Sequence, residues 1–404
     1  MKVLIVGESP YNLTSNGRMC SDVIEGYLND GEEVGCAAWA YDKSWYLPDE
    51  DGYWYEKEGK RLCRLFPFVN APDKSSPQVY DIMKSFQPDI VITIGDFDTT
   101  CFVFSIKALY PDFFKWVAIM PISAGPIDKR FFEAFSYMDV VIVTNSDAKR
   151  FVQEVSPVQC ELIHYGPDEN VFYRADIEND DKDLNVIYVT QNTDRSNIGN
   201  FICGVNRANN ILFSSGKSSG SIKARLHTNL YDKGFYDVRS LVNEYGQGKI
   251  TLPELFVSIN DGIPNEKMAD FYRNSDIVID CSADSATGLT LLEGIKCGCV
   301  PVGTYVGAAK DMFLSMGDNG DFHKLKGIDF IGREEKIHKI ISQEELAENL
   351  LYWYYEKTSS LWKEKREDIY DVTRDYLSIK FLEKVKDIVS LIRNKDSYLV
   401  AQEI

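Results

Sequence analysis

The most constraining feature of this chain is the stretch at 276–303, DIVIDCSADSATGLTLLEGIKCGCVPVG. Its apolar runs predict a buried strand, a polar loop, a helix that opens at Gly288, and a second buried strand. This order places free backbone N–H groups and the positive end of a helix dipole at the loop. An anion over residues 286–289 would be held there without a basic side chain. The stretch therefore predicts a phosphate site.

One acid follows within the first two turns of the predicted helix. Glu293 lies on a face that can reach the same ligand. A diphosphate needs hydrogen-bond donors, whereas ribose hydroxyls need an acceptor. The combination indicates a nucleotide sugar, with Glu293 on its ribose.

Composition is consistent with an enzyme of two or three domains. A chain of 404 residues with 44% hydrophobic content can bury two cores. The start, MKVLIVGE, is too short and too quickly polar for a signal peptide, and we expect a cytoplasmic protein without a transmembrane segment. Nine cysteines without a C-x-x-C pair predict reduced thiols and no metal site. The net charge of −18 argues against a nucleic-acid-binding surface throughout, although a local basic groove stays open.

Short β-branched runs alternate with amphipathic stretches in two series. The first series comprises residues 3–6, 90–94, 117–120, 140–144 and 162–164. The second comprises residues 186–190, 222–226, 255–259, 277–280, 300–302 and 330–331. Each series predicts an α/β domain with a doubly wound parallel sheet, and two such domains would face a central cleft.

The stretch at 276–303 resembles the C-terminal signature of the retaining glycosyltransferases of family 4 (glycosyl transferases group 1), which have the GT-B fold. The resemblance lies in Ser282, SATGL at 285–289, LEG at 292–294 and CGCVPV at 297–302. Glu293 matches the second acid of the family's pair. The position of the first acid holds Ser285, with Asp284 beside it. DVVIVTNS at 139–146, followed by IHYGPD at 163–168, is similar to the family's crossing between domains.

The resemblance implies a GT-B arrangement of two Rossmann-like domains. We expect an N-terminal acceptor-side domain at 1–170, an acidic linker at 171–184, and a nucleotide-sugar-binding domain at 185–375. A C-terminal helix at 376–404 would brace the N-terminal domain.

Three groups are candidates in the N-terminal domain. The loop GESPYNLTSNGR at 7–18 precedes a helix predicted to open near Met19, so backbone could approach a ligand closely at Gly17. This loop is not G-x-G-x-x-G, which disfavours a dehydrogenase. Asp96 and Asp98 follow a strand, and Asp96 is either a catalytic acid on the acceptor side or a helix cap. The family commonly places a histidine near the transferred sugar, and Asp96 or Ser123 would take that role here.

The second domain carries the donor-side candidates. Family members offer an Arg and a Lys to the donor diphosphate; Arg195 matches the Arg, with Asn192 in the same loop. Ile263 lies in a loop similar to the one where backbone meets the nucleotide base. Thr287 and Leu289 complete the phosphate site around Gly288.

The implied reaction is metal-independent transfer with retention from a nucleotide-diphosphate sugar, such as a UDP-sugar. Arg195 and the helix start at Gly288 would stabilise the leaving diphosphate, and Ser285 indicates an altered donor sugar. The acceptor could be a saccharide, a lipid-linked saccharide or a modified DNA base, and the sequence does not decide among them. Two alternatives remain: the same chemistry on a hydroxymethylated pyrimidine in DNA, and a non-catalytic nucleotide-sugar-binding protein.

Overall fold

A computed structural model gives the structure of residues 1–39, 52–71, 74–175, 182–216, 219–230, 234–253, 263–332, 335–359 and 362–400. The chain divides into two compact units. Unit 1 comprises Met1–Tyr165 together with Ser378–Ile404, and unit 2 comprises Gly166–Leu377. The polar residues 171–184 fall within unit 2, and the predicted strand at 255–259 lies outside the described residues.

Unit 1 is built on an eight-stranded sheet with the order β3-β4-β2-β1-β5-β6-β7-β8. The strands are β1 (Lys2–Glu8), β2 (Glu33–Trp39), β3 (Tyr53–Lys57), β4 (Lys60–Pro67), β5 (Ile90–Ile94), β6 (Lys115–Met120), β7 (Val140–Val143) and β8 (Cys160–Leu162). All neighbours run parallel except β3 and β4. The central strands β1 and β5 are buried along most of their length, as a sheet covered on both faces requires.

The helices of unit 1 are α1 (Ser15–Asn29), α2 (Ser75–Phe86), α3 (Phe97–Thr100), α4 (Val103–Leu109), α5 (Phe132–Phe135), α6 (Ser146–Val155) and α14 (Ser378–Val400). The last of these packs against α1. Gly26 leaves room for the Leu382 side chain, and Lys386 Nζ lies 2.8 Å from Asp30 Oδ2. The Phe381 ring meets Tyr165 edge to face. Unit 1 is therefore assembled from two segments that are far apart in sequence.

Unit 2 contains a six-stranded parallel sheet with the order β11-β10-β9-β12-β13-β14. Its strands are β9 (Leu184–Val189), β10 (Ile222–His227), β11 (Ile250–Thr251), β12 (Ile277–Asp280), β13 (Val300–Thr304) and β14 (Lys324–Leu325). The helices are α7 (Ile198–Ser215), α8 (Val238–Tyr245), α9 (Asn265–Arg273), α10 (Leu289–Lys296), α11 (Gly307–Ser315), α12 (Gln343–Glu356) and α13 (Trp362–Val372). The predicted α/β fold class is confirmed for both units.

One predicted strand is placed differently. Residues 330–331 were expected in the second parallel sheet, but they lie in a separate antiparallel hairpin of β15 (Ile328–Ile331) and β16 (Ile337–Ile340). Both strands are largely exposed. A short apolar run has the same pattern in a sheet edge as in an isolated hairpin, so the pattern could not separate them.

The strand order of unit 2 reverses between β9 and β12. From β9 the chain proceeds to β10 and β11 on one side, then returns to β12 and continues to β13 on the other. This reversal is the topological switch point of the sheet, and in open α/β sheets ligands bind at such a point, beyond the carboxyl ends of the strands. No helix in the described part of the chain is both long and apolar enough to cross a membrane.

Candidate donor site

The two loops at the switch point of unit 2 are bonded to each other. The Ala283 N–H donates to the Arg195 carbonyl oxygen at 2.7 Å, and Asn197 Nδ2 donates to the Cys281 carbonyl oxygen at 2.8 Å. Arg195 Nη1 donates to Asp284 Oδ1, also at 2.8 Å. The Asp284 side chain is 3% exposed, whereas that of Arg195 is 49% exposed. Asp284 therefore anchors a guanidinium that remains accessible to solvent.

The loop after β12 ends in a left-handed residue. Gly288 has φ +62° and is the N-cap of α10, with no side-chain cap from the described residues. A Cβ at this position would meet only the terminal methyl of the flexible Met312 side chain, so it is the left-handed backbone angle that favours glycine. The predicted helix start is observed, and the first N–H groups of α10 face the loop that carries Asp284.

The predicted phosphate loop is largely enclosed by unit 2. Ser285, Thr287 and Leu289 are each 7% exposed. The Ser285 carbonyl accepts from the Ala308 N–H at 3.0 Å, and Gly307 packs directly on the same carbonyl with φ +51°. The start of α11 thus contacts the loop at the Ser285 carbonyl.

Glu293 is buried beneath α9, and its contact with a ribose stays a prediction. Its side chain is buried, at 2% exposure, and Glu293 Oε2 accepts from the Tyr272 hydroxyl at 3.0 Å. The helical spacing correctly put this acid one turn into α10. It could not show that α9 packs a tyrosine against the carboxylate.

Asn192 and Ile263 also have structural partners. The Asn192 side chain bonds both backbone groups of Tyr236: its Nδ2 donates to the carbonyl at 2.8 Å and its Oδ1 accepts from the N–H at 3.0 Å. Its amide therefore secures the segment after β10. Ile263 is 7% exposed and belongs to the apolar core of unit 2, just ahead of α9.

Two ionisable groups at this end of the sheet have shifted pKa values. Burial raises the pKa of the Asp280 carboxyl, and hydrogen bonds from Ser282 oppose that shift. Burial, followed by the charge of Arg225, lowers the pKa of His227 to about 4. His227 is consequently neutral at pH 7, which is the character of a structural histidine.

In unit 1, the first loop closes on itself. α1 begins at Ser15 rather than near Met19, because the Thr14 hydroxyl caps it by accepting from the Gly17 N–H at 3.1 Å. A Cβ on Gly17 would overlap the Asn12 carbonyl oxygen. A close backbone approach at Gly17 is therefore made by the chain's own loop, and the ligand contact there stays a prediction.

Asp96 is the N-cap of α3, the second of the two alternatives that the sequence left open. Its Oδ1 accepts from the Thr99 N–H at 3.1 Å and from the Thr99 hydroxyl at 2.8 Å. Asp96 remains exposed at the carboxyl end of β5. Asp98 lies in the same helix, and its side chain is outside the described residues. Ser123 is half-buried in the loop after β6.

His338 is the site residue that sequence reasoning missed. It lies on β16, and its buried Nδ1 is 3.1 Å from Asp284 Oδ2 without forming a hydrogen bond to any described residue. No motif surrounds it, and the residue is 54 positions from Asp284 in sequence. The one available signal was Asp284 itself, an acid beside the position of the family's first Glu.

Structural comparison identifies the fold. Sucrose-phosphate synthase from Thermosynechococcus elongatus is 14% identical, with a TM-score of 0.71 over 98% of this chain and 100% of that chain. Trehalose-6-phosphate synthase, studied for glycosyltransfer with retention, is 10% identical, with a TM-score of 0.68 over 98% and 99% of the two chains. The catalytic domain of Arabidopsis thaliana starch synthase IV, bound to ADP and acarbose, is 12% identical, with a TM-score of 0.60 over 97% and 99%.

No family model matches the sequence, and no curated protein matches it. The structural neighbours are glycosyltransferases of the GT-B class, and this chain has the GT-B fold that the sequence predicted. At these identities the comparison establishes the fold and leaves the reaction to the chemistry of the site.

Proposed function

We propose that this protein is a retaining glycosyltransferase that moves a sugar from a nucleotide-diphosphate donor to an acceptor hydroxyl. The proposal is based on one structural observation. An accessible arginine, Arg195, forms an ion pair with the buried Asp284, which lies four residues before Gly288, the N-cap of α10, where no described side chain caps the helix. Both features direct hydrogen-bond donors toward an anion, and both lie at the switch point of a parallel sheet.

The reaction needs positive charge near the donor diphosphate, which becomes the leaving group when its bond to the sugar breaks. As the bond between the anomeric carbon and the diphosphate oxygen cleaves, its electron pair moves to the leaving diphosphate. Arg195 and the N–H groups of α10 would stabilise that charge. The acceptor oxygen then bonds to the anomeric carbon on the same face, and its proton passes to the departing diphosphate. Since protein groups supply the positive charge, we propose that no metal cofactor is required.

The structure bears on the missing first acid of the family's pair. Asp284 is one position away from Ser285, but its carboxylate is buried and contacts Arg195. One of its oxygens, Oδ1, is therefore already paired with Arg195. Ser285, whose hydroxyl offers weaker acceptors than a carboxylate, would be the group near the sugar, and we propose that the donor differs from those of the family's usual members.

The known structures support the ligand class. Starch synthase IV was solved with ADP, and a related Escherichia coli structure holds UDP-2-fluoro glucose. A nucleoside diphosphate is the part of the donor that Arg195 and α10 would contact. We propose a UDP-sugar as the first donor to test, with ADP- and GDP-sugars next.

A donor screen tests the proposal. Release of nucleoside diphosphate from UDP-, ADP- and GDP-sugars would be measured with and without EDTA, for the wild-type protein and for Arg195→Ala. We expect slow donor hydrolysis that EDTA does not change and that Arg195→Ala reduces at least about tenfold. Binding without any release would support the non-catalytic alternative. If no nucleotide sugar is bound or consumed, the proposal is wrong.

The acceptor is a separate question for the same assay. Saccharides, lipid-linked saccharides and hydroxymethylated DNA would each be added to the donor that is consumed. The correct class should raise the rate of diphosphate release above hydrolysis. A DNA acceptor should lose that acceleration steeply as salt is increased, because phosphate contacts release counterions.

A further inference from the structure

An aspartate followed by three β-branched residues leads into three of the parallel strands. The pattern occurs as DIVI at 89–92, DVVI at 139–142 and DIVI at 276–279, at the starts of β5, β7 and β12. In each case the aspartate N–H donates to the carbonyl oxygen of one residue on the neighbouring strand, and the aspartate carboxylate accepts from the N–H of that same residue. Each aspartate thus closes a ring of two hydrogen bonds with a single partner.

The partner of Asp89 is Lys2 at the start of β1. The Asp89 N–H donates to the Lys2 carbonyl at 2.9 Å, and Asp89 Oδ2 accepts from the Lys2 N–H at 2.7 Å. Asp276 makes the same ring with Asn185 on β9, with distances of 2.7 and 2.8 Å. Because both bonds go to one residue, a shift of the strands by one position would break both. The ring therefore specifies the register of the strand pair.

Both of these aspartates also contact the strand on their other side. The Asp89 carbonyl accepts from the Lys115 N–H of β6 at 3.0 Å, and the Asp276 carbonyl accepts from the Val300 N–H of β13 at 2.8 Å. Each aspartate consequently links three adjacent strands at their amino ends. The two units repeat the same arrangement.

The two rings lie at the switch points of the two sheets. In unit 1 the chain proceeds from β1 to β2 and β4 on one side, then returns to β5 on the other. The paired residues are 87 positions apart in unit 1 and 91 positions apart in unit 2. Closing such long segments costs more entropy than closing short ones, and intervening strands compete for the same edge. A switch point therefore needs a specific contact to define its pairing.

The third ring joins strands that are consecutive in the sequence. Asp139 pairs with Trp116, only 23 positions away, at distances of 2.9 and 2.7 Å. β6 and β7 are neighbours in the chain and in the sheet. Their pairing is favoured by the short connection itself, so this ring is a natural control for the other two.

We propose that Asp89 and Asp276 are register locks, each of which selects the pairing of the two strands at the switch point of its unit. The locks act at the amino ends of the strands, whereas ligands of open α/β sheets bind at the carboxyl ends. They are therefore separate from any ligand contact, and the inference does not depend on the proposed function.

Amide hydrogen exchange of the full chain, read by mass spectrometry, tests the lock in unit 1. The variants are Asp89→Ala, Asp89→Asn and Asp89→Glu, with Asp139→Ala as the matched control. Asp139→Ala removes the same carboxylate bond from strands that have a short connection. Thermal unfolding of each variant establishes that it is folded at the temperature of the exchange.

We expect Asp89→Ala to raise exchange about 5- to 100-fold along β1 and β5, from their amino ends to their carboxyl ends. Asp139→Ala should raise exchange only at the first residues of β6 and β7. Asp89→Asn should remain close to the wild type, because its side-chain oxygen can still accept from the Lys2 N–H. Asp89→Glu should resemble the alanine variant, since the extra methylene displaces the carboxylate from that N–H.

The lock in unit 2 needs a different background. Asp276 is 3% exposed, and its Oδ2 also accepts from Lys357 Nζ at 2.7 Å. Removing the carboxylate alone would leave a buried ammonium without its counter-charge. Asp276→Ala and Asp276→Asn are therefore compared in a Lys357→Met protein. The alanine variant should raise exchange along β9 and β12, and the asparagine variant should not.

Three results would overturn the inference. The first is an increase in Asp89→Ala that stays confined to the residues around Lys2 and Asp89, which would make the aspartate an ordinary end cap. The second is an equally extended increase along β6 and β7 in Asp139→Ala, because the effect would then be independent of the switch point. The third is equal exchange in the asparagine and alanine variants of either unit, since an acceptor at that position would then make no difference.

Discussion

Gly307 lies directly against the carbonyl oxygen of Ser285, in a left-handed conformation with φ +51°. A side chain at this position would meet the backbone of the loop that leads to Gly288, and backbone cannot move aside as a flexible side chain can. The shape of the candidate phosphate loop thus depends on a residue in the following helix.

Gly307→Ala should consequently impair both stability and ligand binding. Gly317→Ala is the matched control, because Gly317 has φ +59° but no atom within 4 Å of its added Cβ. The left-handed angle alone should cost each variant about 1–2 kcal/mol of unfolding free energy. Only Gly307→Ala should in addition displace the loop and weaken UDP binding, about tenfold or more. Equal effects of the two variants on UDP binding would contradict this prediction.

The stability of unit 2 should fall as the pH is lowered from 6.5 to 4. His323 lies buried between Phe313 and Trp353, and burial lowers its pKa to about 4. Within that window the unfolded chain binds a proton that the folded chain does not, so stability is full above pH 6.5 and lost as pH falls. The shift corresponds to a loss of up to about 3 kcal/mol.

Chemical denaturation across pH would measure this effect. His323→Asn keeps a donor for the Pro301 carbonyl, which accepts at 2.7 Å in the wild type, but cannot titrate. The variant should be less stable at pH 7 and should show a shallower decline on acidification. His227 titrates in the same window, so His227→Gln serves as the parallel measurement. An unchanged slope in both variants would refute the assignment.

A substitution of Glu293 should weaken binding of a ligand that contains ribose but not of one that contains phosphate alone. If Glu293 holds a ribose, Glu293→Gln should weaken UDP binding about 5- to 30-fold and leave pyrophosphate binding unchanged, because pyrophosphate has no ribose. Tyr272→Phe removes the donor to the buried carboxylate and should cost about 1–3 kcal/mol of stability. It should keep the ratio of UDP to pyrophosphate affinity. An equal loss of both ligands in Glu293→Gln would assign Glu293 a structural role.

Asp96 can be tested as a cap and as a catalyst separately. Asp96→Asn keeps a side-chain oxygen for the Thr99 N–H, whereas Asp96→Ala loses the cap at a cost of about 1 kcal/mol. If Asp96 acts only as a cap, Asp96→Asn should retain wild-type stability and wild-type donor turnover. A variant that is stable but inactive would show a catalytic role for the carboxylate.

Much of the fold could be predicted because buried parallel strands have distinctive sequences. β5, β7, β12 and β13 are short runs of apolar residues, and their positions were predicted closely. β2 was missed, since its central residues are Gly35, Cys36 and two alanines rather than β-branched residues. Its place beside β1 is set by tertiary packing.

The candidate site, like the fold, was predictable where the signal lies in a local stretch of sequence and unpredictable where it depends on tertiary packing. Gly288 could be predicted from the strand, loop and helix pattern around it, and Arg195 from the resemblance to family 4. The contact between the Arg195 and Asp284 side chains joins residues 89 positions apart, and such a pairing depends on how the two loops pack. Gly17 shows the converse limit: a glycine needed for close approach has the same sequence pattern whether the approaching group is a ligand or the chain's own backbone.

The packing of α14 on α1 has a consequence for biosynthesis. On the ribosome, all of residues 166–377 emerge before Leu382 reaches Gly26 and before Lys386 reaches Asp30. Unit 2 can fold as a continuous segment while unit 1 still lacks a helix, and the apolar face of α1 stays uncovered for that interval. The domain translated first is thus the domain completed last.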